Sequence, residues 1–161
     1  MLAHEPQTTE VGCMYHALYA LTSDPRALTH VDDVSDARFY ARLPTLGLLV
    51  YPFWVTPATG PTTPPEFWTA LREQFAGTAG AQGHAPLLVS IPGSTPGWMH
   101  AVAVALPLHA DGHAVISDSG APHLQTLTWA QFLASAYAEA HRVEMLGPLD
   151  LTAYPPDHRT P

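Results

Sequence analysis

The sequence predicts an α+β fold in which helices come first and an antiparallel sheet follows. Apolar residues recur at helical spacing in the first half of the 161-residue chain, while short apolar segments bounded by turn residues dominate the second half. Hydrophobic residues make up 47% of the chain and charged residues only 12%, so one core can form. We therefore expect a single domain over residues 1–161.

The first helix is predicted to begin at Cys13, because the apolar residues that follow are spaced three and four apart and would share one face. Gly12 permits a turn before this helix. The segment 23–25, Ser-Asp-Pro, ends it because proline cannot continue a helix. Cys13 is thus expected at a helix N-terminus.

Three more helices are predicted. One covers about 31–43, and the next covers 65–75, with proline in its first turn. The last opens at Thr128, where Thr128 and Gln131 have the spacing of a capping box, and runs to about His141.

The connections are rich in proline, glycine and alanine. Residues 56–65 are predicted to form a loop, 77–83 a second loop, and 147–161 an extended tail. The segment 31–85 as a whole is expected to be a variable part of the domain that shapes a substrate cleft.

Three strands are predicted in the second half, over 86–92, 100–107 and 112–118. The middle strand alternates branched apolar residues with three alanines. An alanine face lets another element, such as the first helix, approach closely.

The register of the hairpin formed by the last two strands decides whether His100 and Asp118 meet. A tight turn at Asp111–Gly112 would put them on different faces of the sheet. A five-residue loop over 107–111 would place them opposite each other on one face. Pro107 has no N–H for the ladder, which favours the longer loop.

Composition excludes several classes of function. The net charge is −8 and all six basic residues are arginine, which makes nucleic acid an unlikely partner. No apolar stretch is long enough for a membrane span, and residues 1–12 lack the pattern of a secretory signal, so we expect a cytoplasmic protein. A single cysteine excludes an internal disulfide and a multi-cysteine metal site. The ten histidines are scattered, which favours solvent-facing side chains over a metal site.

Four residues could form a reactive site. Cys13 is either a small buried hydrophobe or, at a helix start, an activated thiolate. His100 is either a surface residue at a strand end or a general base, and Asp118 could orient it. Gln7 is either an ordinary exposed side chain or an oxyanion donor beside the Cys13 N–H.

This order of residues resembles the papain-like cysteine peptidases, most closely the C39-like branch. The resemblance lies in Gln7 six residues before Cys13, a buried strand at 87–91, His100 opening a strand, and Asp118 ending the next one. It covers about 5–22 and 86–138, including the segment Leu-Thr-Trp-Ala-Gln-Phe-Leu near the end. The chain departs from the family in having glycine before the cysteine, methionine after it, and Ser-Gly rather than proline after the aspartate.

The resemblance implies a papain-like fold and a cysteine-dependent amide hydrolase, most simply a peptidase, acting on a peptide or protein without a cofactor. Cys13 would be the nucleophile, His100 the base, Asp118 its orienting group and Gln7 an oxyanion donor. Trp98 would form a substrate wall or shield the site, or else be an ordinary core residue. A deamidase, transglutaminase or acyltransferase could use the same groups. A catalytically silent domain that binds a peptide, or an unrelated structural domain, are the non-enzymatic alternatives.

Overall fold

A computed structural model describes residues 2–77 and 83–148, whose helices and strands form an α+β architecture around one antiparallel sheet. The six strands lie in the order β1-β6-β2-β3-β4-β5, and every neighbouring pair is antiparallel. The elements in chain order are α1 (Cys13–Thr22), α2 (Asp36–Arg42), β1 (Leu48–Val55), α3 (Pro65–Ala76), β2 (His84–Pro92), β3 (Met99–Pro107), β4 (His113–Ser117), β5 (Gln125–Thr128), α4 (Trp129–Leu133) and β6 (Arg142–Pro148).

One face of the sheet is covered by α1 and α2. The apolar side chains of α1 pack on a row of small residues of β3, as the alanine pattern predicted, and those of α2 belong to the same buried cluster. Without Cγ atoms in the way, the axis of α1 can lie close to the sheet, and this closeness brings its first residue to the end of β3. The fully or nearly fully buried members of this cluster include Tyr15, Leu18, Phe39, Leu43, Leu88, Ala101 and Ala103.

The opposite face is covered by α3 and α4. Here the core is built from large aromatic and branched side chains, and Trp68 stacks edge-on against Phe132 with ring centroids 5.0 Å apart. The buried indole N–H of Trp68 donates to the carbonyl of Ala138, 2.8 Å away, so this polar group is satisfied inside the core. The sheet is therefore sandwiched between two apolar layers.

Two predicted helices are shorter than expected. The second begins at Asp36 rather than near residue 31, because the Ser35 side chain caps it by accepting the Arg38 N–H. A 3₁₀ segment, Pro25–His30, and a turn occupy the residues before it. The predictions for α1 and α3 are confirmed, the latter ending one residue later.

The helix at Thr128 has the predicted capping box but ends at Leu133, not near His141. Ser135 has an extended backbone and starts a short 3₁₀ turn, and His141 leads directly into β6. Three strands were not predicted, β1, β5 and β6. Strand β6 lies between β1 and β2 and includes Gly147 and Pro148, which had been assigned to the tail. The rest of the tail, and most of the predicted loop over 77–83, lie outside the described residues.

The β3–β4 hairpin has a five-residue connection, as favoured, but one residue later than predicted. Ala103 pairs with Ser117 and Ala105 with Val115, so the connection is 108–112 and not 107–111. Pro107 stays in β3, where it pairs with His84 of β2. The two-residue difference in register leaves the side-chain faces unchanged, because strand side chains alternate with a period of two.

Candidate active site

Cys13 is held at the first position of α1 by the backbone of Gly12. Gly12 has φ of 96°, a left-handed conformation that costs any other residue about 1–2 kcal/mol. A Cβ atom at this position would also lie 2.4 Å from the carbonyl oxygen of Val31. Glycine before the cysteine, the departure from the family pattern noted above, is thus required by the local packing.

His100 and Asp118 lie side by side at the end of the β3–β4 hairpin. The distance from His100 Nε2 to Asp118 Oδ1 is 2.7 Å. Extending the observed register by one pair puts Asp118 opposite Val102, so the carboxylate reaches His100 diagonally rather than from directly across. The structure therefore brings together His100 and Asp118, as the five-residue loop predicted, although the two strands pair in a different register.

Cys13 interacts with the same imidazole. Its Sγ atom accepts a hydrogen bond from the Ala101 N–H at 3.4 Å, and the thiol and the His100 ring are hydrogen-bonded to each other. Because Nε2 is occupied by Asp118, the nitrogen available to the sulfur is Nδ1. The sequence-predicted Cys13, His100 and Asp118 form one continuous chain of contacts.

The charges of this chain favour a thiolate–imidazolium pair. Partial burial would raise the pKa of Cys13, but the hydrogen bonds from His100 and the Ala101 N–H outweigh it and lower that pKa below its ordinary value. The hydrogen bond to Asp118, followed by the one to Cys13, raises the pKa of His100 to about 10. Both shifts therefore favour a negative sulfur facing a protonated ring.

Asp118 is held ionised by His100 and by two further groups that were not identified from the sequence. Burial raises its pKa, yet hydrogen bonds from His100, the Gly120 N–H and Tyr137 lower it to about 2. The Tyr137 hydroxyl donates to Oδ2 at 2.9 Å and itself accepts from the Gln125 side chain at 2.8 Å. No motif marks Tyr137, because it reaches the site from the turn after α4.

A cleft of about 610 Å³ opens beside the sulfur, a size that accommodates a small-molecule or peptide ligand. Its lining includes Cys13, His100, Asp118 and Trp98. Trp98 is 62% exposed on the β2–β3 loop, so the interpretation of it as a core residue is wrong. Of the middle segment, the described residues that line the cleft are Asp33, Val34, Ser35, Asp36 and Phe39, whereas β1 and α3 build the sheet and the core.

Gln7 lies next to the site but does not line the cleft. Its Nε2 donates to the carbonyl of Thr9 at 2.6 Å, and its Oε1 accepts from the Ser119 hydroxyl at 2.9 Å. Its backbone N–H donates to the Ser119 carbonyl, which ties the segment before α1 to the residue after Asp118. An oxyanion role for Gln7 therefore stays a prediction. It requires either that the second N–H of the Gln7 amide binds the oxyanion or that Nε2 gives up its hydrogen bond to the Thr9 carbonyl.

Comparison with known proteins adds no relative. No protein-family model matches the sequence, and no curated protein matches it significantly. Within the described ranges, no three His, Cys, Asp or Glu side chains are grouped as metal ligands, and no helix there has the length and hydropathy to cross a membrane.

Proposed function

We propose that this protein is a papain-like cysteine hydrolase that cleaves an amide bond, most simply in a peptide. The observation that carries the proposal is the contact chain from Cys13 through His100 to Asp118, which lines a cleft wide enough for a substrate. A nucleophile, a base and a group that orients the base are the parts that thiol acyl transfer needs. The papain-like assignment rests on the order and spacing of these residues.

In the proposed reaction the Cys13 thiolate attacks the carbonyl carbon of the scissile amide. The imidazolium of His100 gives its Nδ1 proton to the leaving amine, the C–N bond breaks, and a thioester to Sγ remains. Neutral His100 then takes a proton from water, which attacks the thioester and releases the carboxylic acid and the thiolate. Asp118 keeps Nε2 protonated and the ring oriented throughout.

The negative oxygen of the tetrahedral intermediate needs donors close to the sulfur. The N–H groups in the first turn of a helix have no partner within the helix, and Cys13 is the first residue of α1. Its own N–H is therefore the primary donor in this proposal, and the Gln7 amide is the second.

Hydrolysis can be tested with a pool of fluorogenic dipeptide amides. We expect turnover by the wild type and a loss of at least about 1000-fold in Cys13→Ser and in His100→Ala, since the residues of such a site act as a unit. The matched control is His109→Ala, which removes an exposed histidine outside the cleft and should leave turnover unchanged.

The same experiment separates hydrolysis from its alternatives. Addition of hydroxylamine would divert a thioester into a hydroxamate, and dominant hydroxamate formation at low amine concentration would indicate a transferase. The hydrolase proposal would be contradicted if mass spectrometry detected no acyl-enzyme on Cys13 and no amide gave a product. A peptide-binding domain would then be the remaining interpretation.

A further inference from the structure

The turn after β4 carries Asp118, and its position decides whether the carboxylate meets His100. Within the turn, the Asp118 carbonyl accepts the Ala121 N–H at 2.9 Å, and Oδ1 accepts the Gly120 N–H at 2.9 Å. These two bonds shape the turn over residues 117–121. They do not fix where the turn lies relative to α1, which depends on contacts from outside it.

His4 bridges the two ends of this turn. Its Nε2 lies 3.0 Å from the Ala121 carbonyl oxygen, and its Nδ1 lies 2.9 Å from the hydroxyl oxygen of the buried Ser117. Because a carbonyl can only accept, Nε2 donates there, and in the neutral ring Nδ1 accepts from the hydroxyl. One half-buried imidazole thus holds the residue before Asp118 and the residue three positions after it.

Gln7 holds the middle of the same turn. Its backbone N–H donates to the Ser119 carbonyl at 2.7 Å, and its Oε1 accepts from the Ser119 hydroxyl at 2.9 Å. His4 and Gln7 together make four hydrogen bonds to alternate residues of the turn. None of these four bonds uses the Asp118 carboxylate, which therefore stays directed at His100.

The segment that contains His4 is also anchored on α1, the helix that carries the nucleophile. The Leu2 side chain is buried in the core cluster of that helix. The Ala3 N–H donates at 3.0 Å to the carbonyl of Ala20, in the last turn of α1, where carbonyls have no partner within the helix. Residues 2–7, the N-terminal strap, therefore connect the nucleophile's helix to the turn that bears the orienting carboxylate.

We propose that the N-terminal strap is part of the catalytic apparatus and that His4 is a positioning residue, acting on the site through Asp118. This role rests on the proposed function, because its effect passes from Asp118 through His100 to the thiolate. Without the His4 bridge the turn is held by Gln7 alone, and the carboxylate is no longer fixed 2.7 Å from His100 Nε2. A hydrogen bond of this kind weakens with distance and angle, so the protonated ring that stabilises the thiolate becomes less favoured.

Alkylation of Cys13 by iodoacetamide at pH 6 measures the effect. We expect His4→Ala to lower the rate at least about threefold, since the reactive species is the thiolate. His4→Gln should restore most of the rate, because a carboxamide also supplies one donor and one acceptor. The matched control is His123→Ala, which removes an exposed histidine two residues beyond the turn and should leave the rate unchanged.

A double-mutant cycle separates positioning from general support of the fold. In an Asp118→Asn background, which already lacks the carboxylate, His4→Ala should change the alkylation rate by less than about twofold. The same fold-loss in both backgrounds would show that His4 acts independently of Asp118 and would overturn the proposal. The pH profile is a second readout: the apparent pKa of Cys13 should rise in His4→Ala and return in His4→Gln.

Circular dichroism establishes that each variant is folded. Should His4→Ala be unfolded, Ser117→Ala carries the same prediction with a smaller loss of rate, and an unchanged rate in it would overturn the proposal. Fast alkylation of the wild type together with an equally fast His4→Ala would overturn the role of His4 and leave the proposed function standing. Slow alkylation of the wild type, with an ordinary thiol profile, would overturn both.

Discussion

The carboxylate of Asp118 is the most constrained group of the site, because it accepts hydrogen bonds from His100, Tyr137 and the Gly120 N–H. Each donor favours the ionised form, and one of them, the Tyr137 hydroxyl, has its own pKa raised to about 12 by burial and by this carboxylate. Tyr137 can act on the chemistry only through Asp118 and is therefore a positioning residue.

Tyr137→Phe removes one donor to Asp118 without removing the ring. We expect the pKa of Asp118 to rise and that of His100 to fall, and turnover to drop by about tenfold, the scale of one charge-assisted hydrogen bond. The measurement is the pH profile of kcat/KM, whose alkaline limb should move to lower pH. If Tyr137 only supported the fold, kcat/KM would fall at every pH and the alkaline limb would not move.

Gly12→Ala tests the backbone that positions the nucleophile. The new Cβ would meet the Val31 carbonyl, and the left-handed conformation would be strained, so we expect a loss of at least about 1–2 kcal/mol in the free energy of unfolding. Chemical denaturation measures it. Gly47→Ala is the control, since Gly47 also has positive φ but nothing within 4 Å of the added atom, and its loss should be smaller.

At the residue scale, the placement of Cys13, His100 and Asp118 near the ends of a helix and two strands could be predicted, because neighbouring residues define each boundary. The placement of Tyr137 and Asp36 beside the site could not. These side chains enter the site through tertiary packing, and nothing in their local sequence distinguishes them from ordinary surface residues.

At the scale of elements, the capping box of α4 links the core to the site. Thr128 accepts the Gln131 N–H, and Gln131 accepts the Thr128 N–H. The helix buries Phe132 and leads into the turn that carries Tyr137.

Thr128→Ala should therefore cost about 1 kcal/mol of stability, typical of a lost N-cap. Thermal unfolding measures the loss, and Thr126→Ala, an exposed threonine of β5, is its control. Equally small losses of stability in Thr128→Ala and Thr126→Ala would mean that the N-cap does not stabilise the protein.

The β3–β4 hairpin is held at its open end by the His100–Asp118 pair. Because the folded pKa of Asp118 is about 2, below the reference value of 3.8, its carboxylate stabilises the fold above pH 3.8. That contribution is lost as the pH falls through 2. The imidazole of His100 does not titrate in this window, since its reference pKa is 6.5 and its folded pKa is higher.

We expect Asp118→Asn, introduced into a Cys13→Ala background, to lower the free energy of unfolding relative to that background. The loss should be largest above pH 4 and should shrink between pH 4 and 2. Urea unfolding at a series of pH values measures it. A difference that stays constant across this range would show that the carboxylate is not specifically stabilised in the fold.

Strand β6 could not be predicted because polar side chains on one of its faces are buried. Strand β6 alternates Arg142 and Glu144 with Val143 and Met145, a period-two signal. Its polar face is nevertheless buried, because Tyr40 donates to Glu144 and accepts from Arg142. A polar strand in the middle of a sheet contradicts the usual hydrophobic pattern, and only its tertiary partners explain it.

At the scale of the whole molecule, the site forms where the two layers of the sheet sandwich meet. Helix α1 delivers Cys13 from one face, while Tyr137 packs with the core of the other face and supports Asp118 from there. The cleft between them is open to solvent on its Trp98 side. This arrangement places a charged pair beside a surface on which a peptide could lie.

The central claim is that Cys13 is a thiolate because of His100, and the pH profile of iodoacetamide alkylation tests it most directly. Cys13 is the single cysteine, so intact mass reports this site alone. We predict fast alkylation at pH 6 in the wild type, and in His100→Ala a rate at pH 6 lower by at least about tenfold with an apparent pKa near the ordinary 8.5. His109→Ala should behave as the wild type. Slow alkylation with an ordinary thiol profile in all three proteins would contradict the account.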